Sequence, residues 1–187
     1  MVCKQKNNER DNATECLKIV FTSLIFLAKQ SLAIRRSNEE HGNFQQLLQL
    51  RAEDNSTLRA WLCRYKTFTS PQIQNEILEI ISREVLLLIL KKFHKDQMFS
   101  IFADETSDIS CKEQLSFCLR YVDDNFDCCE EFVGLYQLDS CQAEYIHTAV
   151  DDILVRCQIS WEDCRGLAFD GAANMAGIRN GVAARIQ

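Results

Sequence analysis

Apolar side chains recur along this chain with two different periods. Over residues 14–35 there is neither Gly nor Pro, and Leu17, Val20, Phe21, Leu24, Ile25, Leu27 and Ala28 fall at the short spacings that line one face of a helix. Residues 43–51 and 56–65 predict two shorter helices, through Phe44, Leu47 and Leu48 and through Leu58, Leu62 and Tyr65. Ser70-Pro71 opens a fourth: Ser caps a helix, and Pro at the first helical position lacks only an N–H that would be unpaired anyway. The stripe Ile73, Ile77, Ile80, Ile81, Val85, Leu88 carries that helix to about Lys95. Residues 1–14 hold no comparable stripe and are expected to be disordered or frayed.

After Asp96 the period shortens to two. Residues 99–104 (FSIFAD) and 115–121 (LSFCLRY) are short, apolar and bounded by polar turns, as strands are. In the second, Leu115, Phe117, Leu119 and Tyr121 alternate with Ser116, Cys118 and Arg120, so one face is buried. Val122-Asp123-Asp124-Asn125 supplies turn residues before a third run, 132–138, and predicts a hairpin. Asp139 with Gln142 suggests a capping pair for a helix through Ile146, Ala149, Val150, Ile153, Leu154 and Cys157. A fourth strand, 166–170 (GLAFD), closes the order β-β-β-α-β. The chain therefore reads as α/β: a frayed start (1–14), a helical region (15–95) and a sheet-containing part (96–187).

Charge follows the same division. Residues 1–95 hold 15 Lys and Arg against 10 Asp and Glu, or +5, whereas residues 96–187 hold 6 against 17, or −11. The acidic part is a poor polycation for phosphates, so DNA contact is expected along the basic helices or through a bridging metal. With 47% hydrophobic and 26% charged residues, one Pro and six Gly, collagen-like and low-complexity classes are excluded. The ten cysteines form no C-x-x-C, the three His lie far apart, and the chain opens without a signal peptide, so free thiols in a reducing compartment are expected. The apolar runs at 19–28 and 85–90 are too short for a bilayer, which takes about 20 residues. A soluble intracellular chain with no membrane partner is the expectation.

Topology points to a candidate site. Strand one runs up, two down, three up, and the helix returns the chain so that strand four runs up again. If strand four docks beside strand one, Asp104 and Asp170 stand at the carboxyl ends of neighbouring parallel strands, the edge where open α/β sheets bind ligands. Gly166 and Ala168 leave room beside Asp170. Two converging carboxylates repel unless a proton or cation lies between them, and Mg²⁺ or Mn²⁺ suits oxygen ligands and phosphate substrates. The plainer alternatives are that Asp104 or Asp108 forms a turn or cap, and that Asp170-Gly171 is a turn dipeptide. Gly171, Gly177 and Gly181 match no phosphate loop, and the Asp104–Thr106 spacing departs from the D-x-D-x-T of a haloacid dehalogenase-type phosphohydrolase. Asn174 and Met175 would start a further helix.

The stretches IFADETSDISCKEQLSFCLRYVD (101–123) and CRGLAFDGAANMAGIRNGVAARI (164–186) resemble the RNase H-like core of hAT-superfamily DNA transposases. More narrowly they resemble the domesticated group of zinc finger MYM-type 1-like and repressor-of-the-inhibitor-of-the-protein-kinase-like proteins. SLAIRRSNEEHGNFQQLL (31–48) and TSPQIQNEILEII (69–81) are similar to the helical region ahead of that core. The resemblance implies a truncated RNase H-like sheet, a nuclear protein, and a DDE-type triad whose first two acids fall on Asp104 and Asp170 as catalytic and metal-binding residues. Mg²⁺ or Mn²⁺ is the cofactor implied for the ancestral enzyme, though not necessarily for this chain. The triad's third acid, a Glu, lies far downstream in the family and the chain ends at Gln187, so no catalysis is expected of this chain alone. DNA at the basic helices, and protein partners or self-association, are the partners implied. Departures are LAIRRSNE (32–39) where relatives often read LAFRGHDE, and GLAFD (166–170) where they read GQG[YF]D.

Overall fold

The computed structural model describes residues 2–36, 41–64, 67–93, 98–107 and 112–169, and the side chains of all of these except 2–5, 107 and 169. It contains the helices α1 (Val2–Lys29), α2 (Asn43–Glu53), α3 (Ser56–Leu62), α4 (Pro71–Lys92) and α5 (Ala143–Cys157), and the strands β1 (Phe99–Ser107), β2 (Glu113–Val122), β3 (Cys128–Gln137) and β4 (Cys164–Phe169). The chain divides into two compact units, the first ending at Glu84 and the second starting at Val85, so that the division falls within α4.

In the first unit, α1 starts at Val2 rather than near Thr14, because nothing in the preceding residues interrupts a helix even though no apolar stripe runs there. It ends at Lys29, short of the expected Arg35. Ser31 takes a left-handed backbone (φ 53°), Ser31 N–H bonds Ala28 O at 3.1 Å and Leu32 N–H bonds Leu27 O at 2.9 Å. That paired closure satisfies carbonyls the helix leaves open. Val20, Leu24 and Leu27 pack against Phe44, Leu48 and Ile77, and Cys16 against Ala52, Leu58 and Trp61. Arg51 ties α2 to α1 by donating to Ile19 O, Thr22 Oγ1 and the buried Ser23 Oγ at 3.1, 2.8 and 2.8 Å. Asn55 caps α3, its side chain accepting from Leu58 N–H at 2.8 Å, and Pro71 begins α4 as the Ser-Pro signal predicts.

The second unit is built on one four-stranded sheet in the order β3-β2-β1-β4. β1/β2 and β2/β3 are antiparallel, and β4 runs parallel to β1 on its other side. Residues Phe99, Ile101, Ala103, Leu115, Phe117, Leu119 and Tyr121 line one face and bury themselves against Ile146, Val150, Ile153, Leu154 and Cys157 of α5. Phe93 at the end of α4 sets its ring edge-on to Phe99 and Tyr121, 5.5 and 5.3 Å between centroids. The opposite face has no comparable cover among the described residues: Phe132 and Leu135 are 54% and 53% exposed.

Two local expectations are corrected. α5 begins at Ala143 with Gln142 at its N-cap and no side-chain cap, so Asp139 and Gln142 are not a capping pair; Ser140 Oγ instead accepts from Gln142 N–H at 3.3 Å. β3 begins at Cys128 rather than 132, because the intervening turn is completed within Asp123–Asp127: Asp123 Oδ1 accepts from Asn125 N–H and Asp127 N–H, both at 2.9 Å.

Candidate functional site

The parallel pairing of β4 with β1 is the arrangement the candidate site requires. Its register runs Ser100↔Gly166, Ile101↔Leu167, Phe102↔Ala168 and Ala103↔Phe169. In sequence, the residues that follow the last of these pairs are Asp104 and Asp170. Asp104 belongs to β1, opposite Ser116 of β2, and is exposed on the open face of the sheet together with Ser100 and Phe102. Asp170, with Gly171, Asn174, Met175, Gly177 and Gly181, lies outside the described residues, as does Asp108.

Space on the Asp104 face is set by Gly166. A Cβ there would lie 3.0 Å from Ser100 Oγ, so that the hydroxyl would have to give by a few tenths of an ångström, and 3.6 Å from Ser100 Cβ, an ordinary packing distance. Gly166 follows a register shift between Phe99 and Ser100 in the β1/β4 pairing, and Ala168 keeps the next position on that face small. On the neighbouring strand β2, Arg120 sets its guanidinium carbon 5.7 Å from the centre of the Phe102 ring, a cation engaged over an aromatic face.

Within the DETS sequence, alternation separates the roles. Asp104 and Glu105 project to opposite faces. Glu105 and Glu113 converge on Cys141, whose thiol is pushed up to about 12 by burial first, and then by hydrogen bonds to the two carboxylates. A thiol held protonated donates to those acids. Cys141 was not recognisable from the sequence as part of this strand end, since nothing local ties residue 141 to residues 105 and 113.

Ahead of β4, the side chain of Asp151 on α5 accepts from Trp161 Nε1–H at 2.8 Å and meets His147 Nδ1 at 3.1 Å. This anchors the turn that delivers the chain into β4. It makes His147 a positioning residue for the strand rather than part of the candidate site.

Among the described residues no three His, Cys, Asp or Glu side chains converge so as to hold a metal ion. Asp104 therefore stands as one oxygen donor whose fit to Mg²⁺ or Mn²⁺ depends on a second carboxylate from beyond Phe169. The described cysteines are all free thiols, and no helix among the described residues is long and apolar enough to cross a membrane.

Three meandering strands, a helical crossover and a fourth strand parallel to the first define an α/β, RNase H-like core preceded by helices. The chain belongs to the family described as the ZMYM1/FAM200, RNase-like domain, whose model matches residues 1–181. It is 28% identical over 195 residues to the 52 kDa repressor of the inhibitor of the protein kinase of Homo sapiens, and equally to that of Mus musculus. Each match takes in 95% of this chain and 25% of the relative, so the chain spans about a quarter of the length of these curated relatives. No solved structure matches the chain.

Proposed function

We propose that this chain is a domesticated, hAT transposase-derived segment that serves as a nucleic-acid-associated or protein-scaffolding part of a nuclear protein and does not cut DNA by itself. The observation that carries this reading is the Ala103↔Phe169 pairing of parallel strands at the end of which Asp104 is exposed. The surface of the sheet-containing part argues against catalysis: residues 96–187 carry a net −11, which repels a phosphate backbone, and one or two carboxylates do not position both a metal ion and an attacking water. The name of the matched relatives, a repressor, supports a regulatory role.

The rival reading is that Asp104 and Asp170 still act as two acids of a DDE-type transposase site. There they would be the residues to hold Mg²⁺ or Mn²⁺, and the ion would supply charge stabilisation for phosphodiester cleavage and strand transfer. The same pairing that supports the family fold favours this alternative.

Incubation of the full chain with supercoiled plasmid and Mg²⁺ or Mn²⁺ separates the two readings. No nicking or strand transfer is expected. Activity that disappears in both Asp104→Ala and Asp170→Ala would overturn the proposal and make the chain an enzyme. A DNA-binding titration over a range of salt completes the test: binding carried by the basic helices weakens steeply with salt and is unchanged in Asp104→Ala.

A further inference from the structure

The most exposed large apolar side chain of the described structure stands where a glycine would be easiest. Phe126, at the tip of the β2–β3 hairpin, is 90% exposed and has φ 65°. A bulky residue in this left-handed region carries a steric cost that Gly does not. The tip is nonetheless tightly built: Asp123 N–H bonds Asp127 O, Phe126 N–H bonds Asp123 O, both at 3.0 Å, and the Asp123 carboxylate accepts from two backbone N–H groups. An aromatic ring is thus held out into solvent on a preorganised turn, collared by Asp123, Asp124 and Asp127.

The same unit carries a surface of matching chemistry. The last turns of α4 form a shallow groove of about 620 Å³ floored by Val85, Leu88 and Ile89 and bordered by Lys91, Lys92 and Glu131. Val85 and Leu88 are 50% and 60% exposed. Lys92 pairs with Glu131 at 3.4 Å, and both residues also line the hollow beneath the hairpin, beside Asp123 and Asp124. Groove and tip therefore adjoin on one unit, one basic at its rim and apolar at its floor, the other acidic around an apolar point.

We propose that the second unit pairs with a second copy of this chain across a two-fold axis, Phe126 of each copy entering the α4 groove of the other with Asp124 and Asp127 against Lys91 and Lys92. Two-fold pairing requires a surface that holds both halves of its own complement, and this unit does. The acidic collar disfavours a nucleic acid at the tip, and an aromatic anchor in a desolvated groove is the kind of contact that dominates small interfaces. This goes beyond the proposed role of the candidate site and does not depend on it, since none of these residues adjoins Asp104.

The test is sedimentation velocity of the full chain over a wide range of protein concentration and salt. The wild type dimerises reversibly and dissociates more readily as salt rises. Phe126→Gly, which suits the turn and so keeps the fold, raises the dissociation constant at least about tenfold. Lys91→Glu weakens the dimer by about threefold or more, and Asp124→Lys added to Lys91→Glu recovers it, which loss of structure would not do. A wild type monomeric at every concentration overturns the proposal. So does association unchanged in Phe126→Gly, association abolished instead by Phe132→Ser on the open sheet face, or failure of the charge swap.

Discussion

Replacing Leu119 and Leu135 by Ala in separate variants tests whether only one face of the sheet is covered. Leu119 is fully buried on β2 between Ile101 of β1 and Glu131 of β3, within the core that α5 closes. Leu→Ala removes three carbon groups, worth about 0.8 kcal/mol each, or ~2.4 kcal/mol, and the cavity left in a packed core brings the loss to ~3–4 kcal/mol. Leu135 has the same chemistry on the open face, but about half its surface already meets water. Its loss removes about half the transfer energy and leaves no enclosed cavity, so ~1 kcal/mol is expected. Urea unfolding in a Trp61→Phe background reads the second unit alone, because Trp161 is then the sole tryptophan and is anchored to Asp151. A Leu135→Ala variant as destabilised as Leu119→Ala would show that the open face is covered in solution and would refute the one-sided sheet. Equal, small losses at both sites would refute the packing of α5.

Gly166→Val should cost ~1–3 kcal/mol by overpacking against Ser100, and Ser100→Gly should recover a large part of that loss in the double variant; additive losses would mean the two positions do not touch. Because the folded thiol of Cys141 is raised from 9.0 to about 12, the native state keeps a proton that the unfolded chain gives up above about pH 9. Its contribution is then fully present below pH 9 and lost as pH rises toward 12, so the stability gap between wild type and Cys141→Ala, measured by urea unfolding, should be flat at neutral pH and narrow through that alkaline window. A gap independent of pH would remove the shared proton between Cys141, Glu105 and Glu113.

The order of elements and the faces of α5 and β2 follow from local pattern, whereas the stripe expected on α4 is buried at Ile77 but exposed at Ile80, Val85 and Leu88. Spacing of three and four, or strict alternation as in Leu115, Phe117, Leu119 and Tyr121, already states which side chains avoid water, and each element needs only its own neighbours to show it. Asp104 was legible as an exposed acid after an apolar run, but β1 does not end there: its pairing with β2 continues through Ser107↔Glu113, a length set by the partner strand rather than by the apolar run. Helix ends were less legible, since α1 stops at a left-handed Ser31 and α5 starts without the expected cap, outcomes set by loop hydrogen bonds rather than by periodicity. The tertiary structure alone decided where β4 docks and that Gly166 faces Ser100, because both depend on a pairing between positions more than sixty residues apart. It also decided the make-up of the open face. Simple alternation from Phe132 puts Leu135 on the other side of the sheet, but the register shift at Phe117/Cys118 leaves Val133 as the extra residue, so Phe132 opposite Cys118 and Leu135 opposite Ser116 share one face. A bulge is a property of two strands meeting, and neither strand's sequence contains it.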